Sequence, residues 1–286
     1  INADNILVTE EEIKEAYEKV DETLLNVMRK ALVNIRSYHE KQKQNSWIAT
    51  EDNGAILGQK VTPLQRVGVY VPGGKAVYPS SVLMNIVPAK VAGVEKIIMC
   101  TPCSPEGKVC ASTLVAAREA GVDEIYKAGG AQAIAMFAYG AKGSEPQDGE
   151  ILCDPVDKIT GPGNIFVATA KRMVSGIVGI DAVAGPTEIA IIADKGANPS
   201  WLAADLIGQA EHDELAGSVL ITDSEEIAEQ VQEDLKYRVP RTEHSERVNT
   251  SLRGRQSGII LTDGIEQSID AANAYAAEHL EIQTKD

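Results

Sequence analysis

The stretch EIAIIADKGANPSWLAADLIGQAEHDELAGSVLITD, residues 188–223, decides the fold class of this chain. It begins with EIAIIAD, a short apolar run that predicts a buried strand. The helical stretch PSWLAADLIGQAEHD follows, and SVLITDS predicts a second buried strand after it. Two buried strands joined by one helix are typical of a parallel sheet that is covered by helices.

The same alternation of short apolar runs and helical stretches extends in both directions. Before it come RVGVYVPGG, KIIMCTP and DKITGPGN, each followed by a helical pattern, and after it comes GIILTDG with the helical pattern IEQSIDAANAYAAEHL. The first 45 residues differ, since apolar residues recur there at helical spacing. We therefore predict an α/β fold with N-terminal helices.

An internal repeat is suggested by two similar segments. Pro79-Ser80 and Pro199-Ser200 lie 120 residues apart, and each pair stands between a predicted strand and a predicted helix. Ser80 or Ser81 is the expected N-cap of the first of these helices. The repeat predicts two related, Rossmann-like parallel-sheet domains.

Composition narrows the class of partner. The 286-residue chain is 44% hydrophobic and carries 42 acidic against 27 basic residues, for a formal net charge of −15. Such a chain repels nucleic-acid phosphates and anionic membrane surfaces. With no signal peptide and no apolar run of about 18 residues, we expect a cytoplasmic enzyme with a small-molecule substrate, and neither a nucleic acid nor a membrane as partner.

The cysteines give only a weak signal. Cys100 and Cys103 form a single C-x-x-C, and Cys110 and Cys153 stand apart from it. One such pair is poor evidence for zinc, so buried structural thiols are the favoured interpretation. The chain begins at Ile1, and its last residues read as the approach to a strand. We expect a fragment of a longer chain that lacks its C-terminus.

Three glycine-containing turns follow predicted strands. TGPGN holds Gly161 and Gly163 at the spacing of a dinucleotide-binding turn, but it lacks the third glycine. It is either such a turn, with Asn164 facing a ligand, or a tight turn in which Asn164 caps a helix. AGGAQA places Gln132 in the first turn of a helix, and YVPGG follows Tyr70, a core candidate. All three belong at the carboxyl ends of strands, where ligands bind in parallel sheets.

Two histidine motifs leave alternatives open. Gln209 and His212 in GQAEHDE would share a helix face, either as a solvated helix end or as two ligands of an incomplete metal site. Glu278 and His279 in AAEHLEI are predicted at a helix end, where the helix dipole favours histidine; they could also form an acid–base pair.

Together these motifs resemble the histidinol dehydrogenase family. RVGVYVPGGKAVYPSSVLMNIVPAKVAGV, GGAQAIA, KITGPGNIFVATAKR, AGPTEIAIIAD, QAEH and AAEHL occur in order, and the resemblance runs from about residue 10 to the last residue. It implies a homodimeric enzyme that needs zinc. Such an enzyme oxidises L-histidinol through L-histidinal to L-histidine with two NAD⁺, in the last two steps of histidine biosynthesis.

The resemblance also implies roles for single residues. Tyr70, Gln132 and Asn164 match the NAD contacts of the family. Gln209 and His212 match zinc ligands that also border the substrate. Glu278 and His279 match the catalytic pair, with His279 beside the substrate, and Thr187 stands where the family commonly has a substrate-contacting serine.

The sequence departs from the family pattern in its zinc ligands, and it is predicted to divide into two lobes. The family has two further zinc ligands, an Asp and a His, in segments that these 286 residues do not contain. An inactive nucleotide-binding fragment with half a zinc site is therefore the alternative. We assign residues 1–70 and 188–286 to a first lobe, on the zinc and substrate side, and residues 71–187 to a second lobe, on the NAD side.

Overall fold

A computed structural model describes residues 1–2, 4–73, 77–143 and 151–285. The chain forms two compact units, Ile1–Ala184 and Gly185–Asp286. The helices of the first unit are α1 Glu10–Lys19, α2 Glu22–Glu40, α3 Pro79–Ala92, α4 Ala111–Ala120, α5 Gly130–Tyr139 and α6 Ile165–Val174. Its strands are β1 Trp47–Thr50, β2 Ile56–Gln59, β3 Arg66–Tyr70, β4 Lys96–Cys100, β5 Glu124–Tyr126, β6 Ala141–Lys142, β7 Ile151–Cys153, β8 Lys158–Thr160 and β9 Gly179–Ile180.

The second unit contains fewer elements. Its helices are α7 Pro199–Ala210, α8 Glu225–Arg238, α9 Ser245–Leu252 and α10 Ile265–Tyr275, with a short 3₁₀ helix at Val239–Arg241. Its strands are β10 Glu188–Ala193, β11 Gly217–Thr222, β12 Gly258–Leu261 and β13 His279–Gln283.

The helical pattern of the first 45 residues forms two helices, α1 and α2. Thr9 caps α1 through a capping box with Glu12, and Asp21 accepts a hydrogen bond from the Leu24 amide to cap α2. These caps satisfy amide groups that have no partner within the helix. Because both helices pack against α3 or α4, the apolar faces of α1 and α2 join the core of the first unit.

The larger sheet of the first unit has the strand order β5-β4-β3-β8-β9, and every neighbouring pair in it is parallel. The central strands β3 and β4 are almost wholly buried. This burial explains their unbroken apolar sequences, since parallel strands are covered on both faces.

The sheet of the second unit has the strand order β12-β11-β10-β13 and is also parallel throughout. One face packs on α7 and α8 around Ile191, Leu202 and Leu220, and the other carries α10 over Ile192 and Ile221. The stretch that predicted a βαβ unit is β10-α7-β11.

The two units repeat one topology, as the sequence predicted. In each, the first strand is followed by a helix whose first residue is proline, Pro79 or Pro199, and the order of the first four strands of each main sheet is 3-2-1-4. The α/β class is confirmed. The N-cap of α3 is Tyr78 rather than the predicted Ser80 or Ser81, because proline fits the first helical position without an N–H.

The predicted lobes require one correction. Residues 1–70 were assigned with residues 188–286, but they belong to the compact unit that ends at Ala184. The reason is packing: β3 is the middle strand of the five-stranded sheet, and α1 and α2 lie on α3 and α4. The observed boundary after Ala184 is close to the predicted one after residue 187. In the part of the chain that the structure describes, no helix is both long and apolar enough to cross a membrane.

Candidate functional site

Tyr70 ends β3 and is buried, with 3% of its surface exposed. Its hydroxyl oxygen accepts a hydrogen bond of 3.1 Å from the amide of Gly130, the first residue of α5. Burial raises the pKa of Tyr70, and the bond from Gly130 opposes that shift in part. Tyr70 is thus a core residue whose hydroxyl lies at a helix N-terminus, so the core interpretation does not exclude a ligand contact.

The glycine turn after β8 lies directly against Tyr70. Gly161 has φ +114°, and a Cβ built on it would lie 1.9 Å from the Tyr70 carbonyl oxygen. A Cβ on Gly163 would lie 2.4 Å from a Val167 methyl carbon. Only glycine can therefore occupy position 161, because other residues would both clash and adopt a strained backbone.

Asn164 is the N-cap of α6. Its Oδ1 accepts hydrogen bonds from the amides of Phe166 and Val167, at 3.1 and 3.2 Å, and the residue is exposed. The turn is thus the capped tight turn that the sequence allowed. Since the cap uses only the side-chain oxygen, the side-chain nitrogen Nδ2 of Asn164 is available to donate a hydrogen bond to a ligand.

Gln132 lies in the first turn of α5 and is exposed. Its Oε1 would lie 2.9 Å from a Cβ built on Gly130, so the side chain folds back toward the N-terminus of its own helix. Gln132 Oε1 and the Tyr70 hydroxyl therefore both lie close to Gly130, the first residue of α5.

The three predicted turns form one continuous rim at the carboxyl ends of the strands. Pro102, just after β4, is close to both neighbouring turns: a Cβ on Gly129 would lie 2.9 Å from it, and one on Gly73 would lie 3.5 Å from it. Gly161 extends the rim past Tyr70. Gly74 of the YVPGG motif lies outside the described residues.

In the second unit the candidate residues lie at the edge of the sheet where the parallel strands begin, whereas those of the first unit lie where the strands end. Thr187 precedes β10 and accepts a hydrogen bond on its carbonyl from the Gly217 amide, at the start of β11. His279 is the first residue of β13 and pairs with Ile189. Ser218 donates to the Leu206 carbonyl and so joins the C-terminal part of α7 to this edge.

Gln209 and His212 do not share a helix face as predicted. Gln209 is in the last turn of α7 and is 7% exposed, but α7 ends at Ala210 and His212 lies in the exposed turn after it. Past Ala210, the Glu211 amide donates to the Ile207 carbonyl at 3.0 Å and the His212 amide donates to the Gln209 carbonyl at 3.2 Å. Nε2 of Gln209 is buried and has no hydrogen-bond partner in the described structure.

The loop that carries His212, residues 211–216, is held by side chains that the sequence motifs did not single out. Arg247 donates to the Glu211 carbonyl at 3.1 Å, and Ser251 donates to the Ala216 carbonyl at 2.9 Å. Gln256 donates to the Glu214 carbonyl at 3.2 Å. No local pattern marks these residues, because they lie 35 to 42 positions along the chain from the carbonyls that they bind.

Glu278 and His279 lie before and at the start of a strand, and the prediction of a helix end is wrong. The helix α10 stops at Tyr275 because Ala276 takes a left-handed conformation, φ 53°. The two side chains are exposed, and His279 Nε2 is 4.0 Å from Glu278 Oε2. A carboxylate and an imidazole at this separation can exchange protons with a common substrate.

The described residues supply an incomplete metal site. Gln209 and His212 offer one amide and one imidazole, whereas catalytic zinc sites have three protein ligands. No group of three His, Cys, Asp or Glu side chains that could hold a metal ion occurs in the described part of the chain. A glutamine binds a metal through its carbonyl oxygen, so the unpartnered Nε2 of Gln209 is a free hydrogen-bond donor rather than a metal ligand, and two donor residues do not make the site.

Two of the four thiols are poor nucleophiles. Cys100 and Cys153 are buried, and burial raises the pKa of both, which disfavours the reactive thiolate. For these two cysteines the predicted structural interpretation is confirmed. Cys103 is half-buried and Cys110 is exposed.

Comparison with known proteins identifies the family. The family model of histidinol dehydrogenase matches residues 1–286. The chain belongs to the histidinol dehydrogenase family. A histidinol dehydrogenase of Bifidobacterium longum is 65% identical over 99% of this chain and 60% of its own length. That of Bacillus subtilis is 50% identical over 100% of this chain and 64% of its own.

Solved structures agree with this assignment to the histidinol dehydrogenase family. Histidinol dehydrogenase from Elizabethkingia anophelis has a TM-score of 0.88 at 35% identity, over 98% of this chain and 63% of its own. A propionaldehyde dehydrogenase from Clostridium phytofermentans has a TM-score of 0.51 at 12% identity, over 96% of this chain and 82% of its own, which shows a shared fold alone. The chain spans only 60–64% of the length of the curated histidinol dehydrogenases of Bifidobacterium longum and Bacillus subtilis.

Proposed function

We propose that the protein is a histidinol dehydrogenase that oxidises L-histidinol to L-histidine through L-histidinal, with NAD⁺ as oxidant and zinc as a second cofactor. The observation that carries the proposal is the match of the family model over all 286 residues. The geometry supports it, since the residues that would act on the substrate gather at one edge of the sheet in the second unit.

The first oxidation needs a base beside the alcohol. We assign this role to the imidazole of His279, because a neutral imidazole can accept the hydroxyl proton as hydride leaves the carbon. Bound NAD⁺ supplies the hydride acceptor. The proton passes from His279 to solvent, for which the exposure of this side chain provides a route.

The second oxidation needs water. We assign Glu278 as the carboxylate that accepts a proton from the water adding to the aldehyde. The resulting hydrate then loses a proton to His279 and a hydride to a second NAD⁺. One water is consumed, and two hydrides and three protons leave as the alcohol becomes a carboxylate. No thiol adduct is needed, which agrees with the burial of Cys100 and Cys153.

We assign NAD⁺ to the rim at the carboxyl ends of the first unit's strands. Tyr70 and Gln132 would contact it at the start of α5, and Asn164 would contact it at the start of α6. The exposed amides of Gln132 and Asn164 and the Tyr70 hydroxyl offer polar contacts of the kind that orient a cofactor in an otherwise apolar site.

We assign Gln209 and His212 as zinc ligands that also border the substrate, and Thr187 as a substrate contact. The described residues fit only part of a zinc shell. We further propose a cytoplasmic homodimer, on the strength of family membership.

The experiment that tests the assigned base replaces His279 in the protein at its full encoded length. We expect His279→Asn to lower kcat for histidinol oxidation by about a hundredfold or more, since general base catalysis contributes that much. The dissociation constant for NAD⁺ should stay unchanged, because the NAD candidates belong to the first unit.

The matched control is His244→Asn, which alters an exposed histidine of the same unit outside the proposed site. It should leave kcat unchanged. Near-normal turnover by His279→Asn, with L-histidine still formed, would show that another group is the base.

A further inference from the structure

An ion pair between a buried lysine and a partly exposed aspartate lies behind the glycine turn, and none of the proposed roles involves it. Lys171 of α6 has a side chain that is only 3% exposed, and it forms an ion pair with Asp181, which follows β9. A buried lysine is costly unless it is paired and hydrogen-bonded. Because such a pair adds little to stability, we looked for a role in the groups that it contacts.

Both members of the pair bind the backbone of Gly161. Lys171 Nζ donates to the Gly161 carbonyl at 3.0 Å, and the Gly161 amide donates to Asp181 Oδ2 at 2.8 Å. The other oxygen of Asp181 accepts from the Ala182 amide at 2.7 Å. One glycine thus has both its N–H and its C=O held by an ion pair.

The pairing of β8 with β9 places Asp181 beside Gly161, and α6 places Lys171 there. The Asp181 amide donates to the Ile159 carbonyl and continues the pairing of β8 with β9, which places the carboxylate beside the end of β8. The Lys171 side chain reaches back toward the N-terminus of its own helix, the direction in which helical side chains tilt.

The pair also changes how the turn can bind an anion. Glycine turns at helix starts bind phosphate through free backbone amides. Here the Gly161 amide already donates to a carboxylate, and the Phe166 and Val167 amides donate to Asn164. These three amides already have acceptors and cannot bind a phosphate as well. The turn can still contribute to ligand binding, because it sets the position of Asn164.

We propose that Lys171 and Asp181 are positioning residues of the nucleotide site: they clamp Gly161 from both sides and so fix Asn164 for contact with NAD. The proposal rests on the assignment of NAD to this rim. Gly161 is free to adopt many backbone conformations, because it has no Cβ. External bonds to both of its backbone groups are what hold it in one of them.

The test uses Lys171→Met, Asp181→Asn and the double variant in the protein at its full encoded length. We expect each to raise the dissociation constant for NAD⁺, measured by calorimetry, by about tenfold. KM for histidinol should change by less than about twofold, because its proposed contacts are in the second unit.

The double variant separates positioning from stability. Asp181→Asn leaves the buried charge of Lys171 without its partner, so we expect its melting temperature to fall, whereas Lys171→Met leaves only the partly exposed carboxylate of Asp181. Removal of both charges should restore much of that loss, while NAD⁺ binding stays weak. Arg29→Met is the control, since it breaks an ion pair with Glu119 elsewhere in the same unit and should leave NAD⁺ binding unchanged.

Three results would overturn the proposal. Binding of NAD⁺ by the double variant as tight as by the wild type would reduce the pair to a structural role. An equal loss of NAD⁺ affinity in Arg29→Met would show a general effect of destabilisation. If the wild type itself does not bind NAD⁺, the proposed function fails, and this proposal fails with it.

Discussion

Asn164 carries two hydrogen-bonding groups on its side chain, and the helix cap uses its oxygen for the amides of Phe166 and Val167. Tyr70 similarly packs in the core while its hydroxyl accepts a bond from Gly130. In both cases the sequence offered a structural and a functional interpretation as alternatives. The structure makes them compatible, because different atoms of one side chain serve the two purposes.

Lys171 was not among the residues that the sequence motifs indicated, although its burial could have been predicted. It lies four residues after Val167 and three before Val174, and all three are buried on one face of α6. A lysine at helical spacing within an apolar face is a readable signal of a buried charge. Its partner Asp181 could not be predicted in the same way, because the contact depends on the pairing of β8 with β9.

Metal content tests the residues assigned as zinc ligands. We expect Gln209→Ala and His212→Ala, in the protein at its full encoded length, to lose stoichiometric zinc after dialysis, because each removes a donor from the metal. The zinc content would be measured by mass spectrometry. His244→Ala, an exposed histidine in the same unit, should keep the metal, and retention of full zinc by both site variants would refute the assignment.

Among the secondary-structure elements, the end of α10 was the clearest error of prediction. AYAAEHL consists largely of good helix formers, so local propensity extended the helix to Leu280. The structure instead ends it at Tyr275, because pairing of β13 with β10 requires the chain to be extended from His279 onward. Tertiary pairing overrode propensity at the position of the proposed catalytic pair.

Ala276 provides a test of that helix end. It has φ 53°, a left-handed conformation that costs alanine about 1 kcal/mol or more relative to glycine. We expect Ala276→Gly to raise the free energy of unfolding by up to about 1 kcal/mol, measured by urea denaturation. Ala277→Gly, one residue on, should not stabilise the protein, and stabilisation by both or by neither would contradict the observed helix end.

The N-terminal helices make a prediction about alkaline pH. Burial, together with a hydrogen bond of 2.7 Å to Glu119, raises the pKa of Tyr17 from 10.0 to about 12. A raised pKa means that the neutral tyrosine stabilises the fold below pH 10, and that this contribution disappears as the pH rises to about 12. Tyr17 therefore joins α1 to α4 only in its neutral form.

We expect Tyr17→Phe to lower the free energy of unfolding by about 1 kcal/mol at neutral pH, from loss of the hydrogen bond. The difference from the wild type should shrink between pH 10 and about 12, as measured by denaturant unfolding across that range. Tyr139→Phe, an exposed tyrosine, should show neither effect. A difference that grows with pH would contradict the sign of this shift.

For the whole molecule, the alternation of strands and helices was sufficient to predict the α/β class and the internal repeat. The shared 3-2-1-4 order is one that parallel sheets reach with right-handed connections, so the pattern restricted the topology strongly. The unit boundary was harder to predict. Residues 1–70 join the first unit through contacts such as Arg29 with Glu119, 90 positions along the chain, and no local pattern encodes them.

The two units place their candidate residues at different edges of similar sheets. The NAD candidates of the first unit lie where strands end, and the catalytic and zinc candidates of the second lie where strands begin. The general rule for parallel sheets predicted only the first of these. Family motifs, rather than the rule, indicated the second.

The most direct test of the central claim is the number of NADH molecules formed for each L-histidinol consumed by the protein at its full encoded length. We expect two, with L-histidine as the final product, because both proposed oxidations occur on one enzyme without a thiol intermediate. One NADH with accumulation of L-histidinal, or no NADH at all, would contradict it.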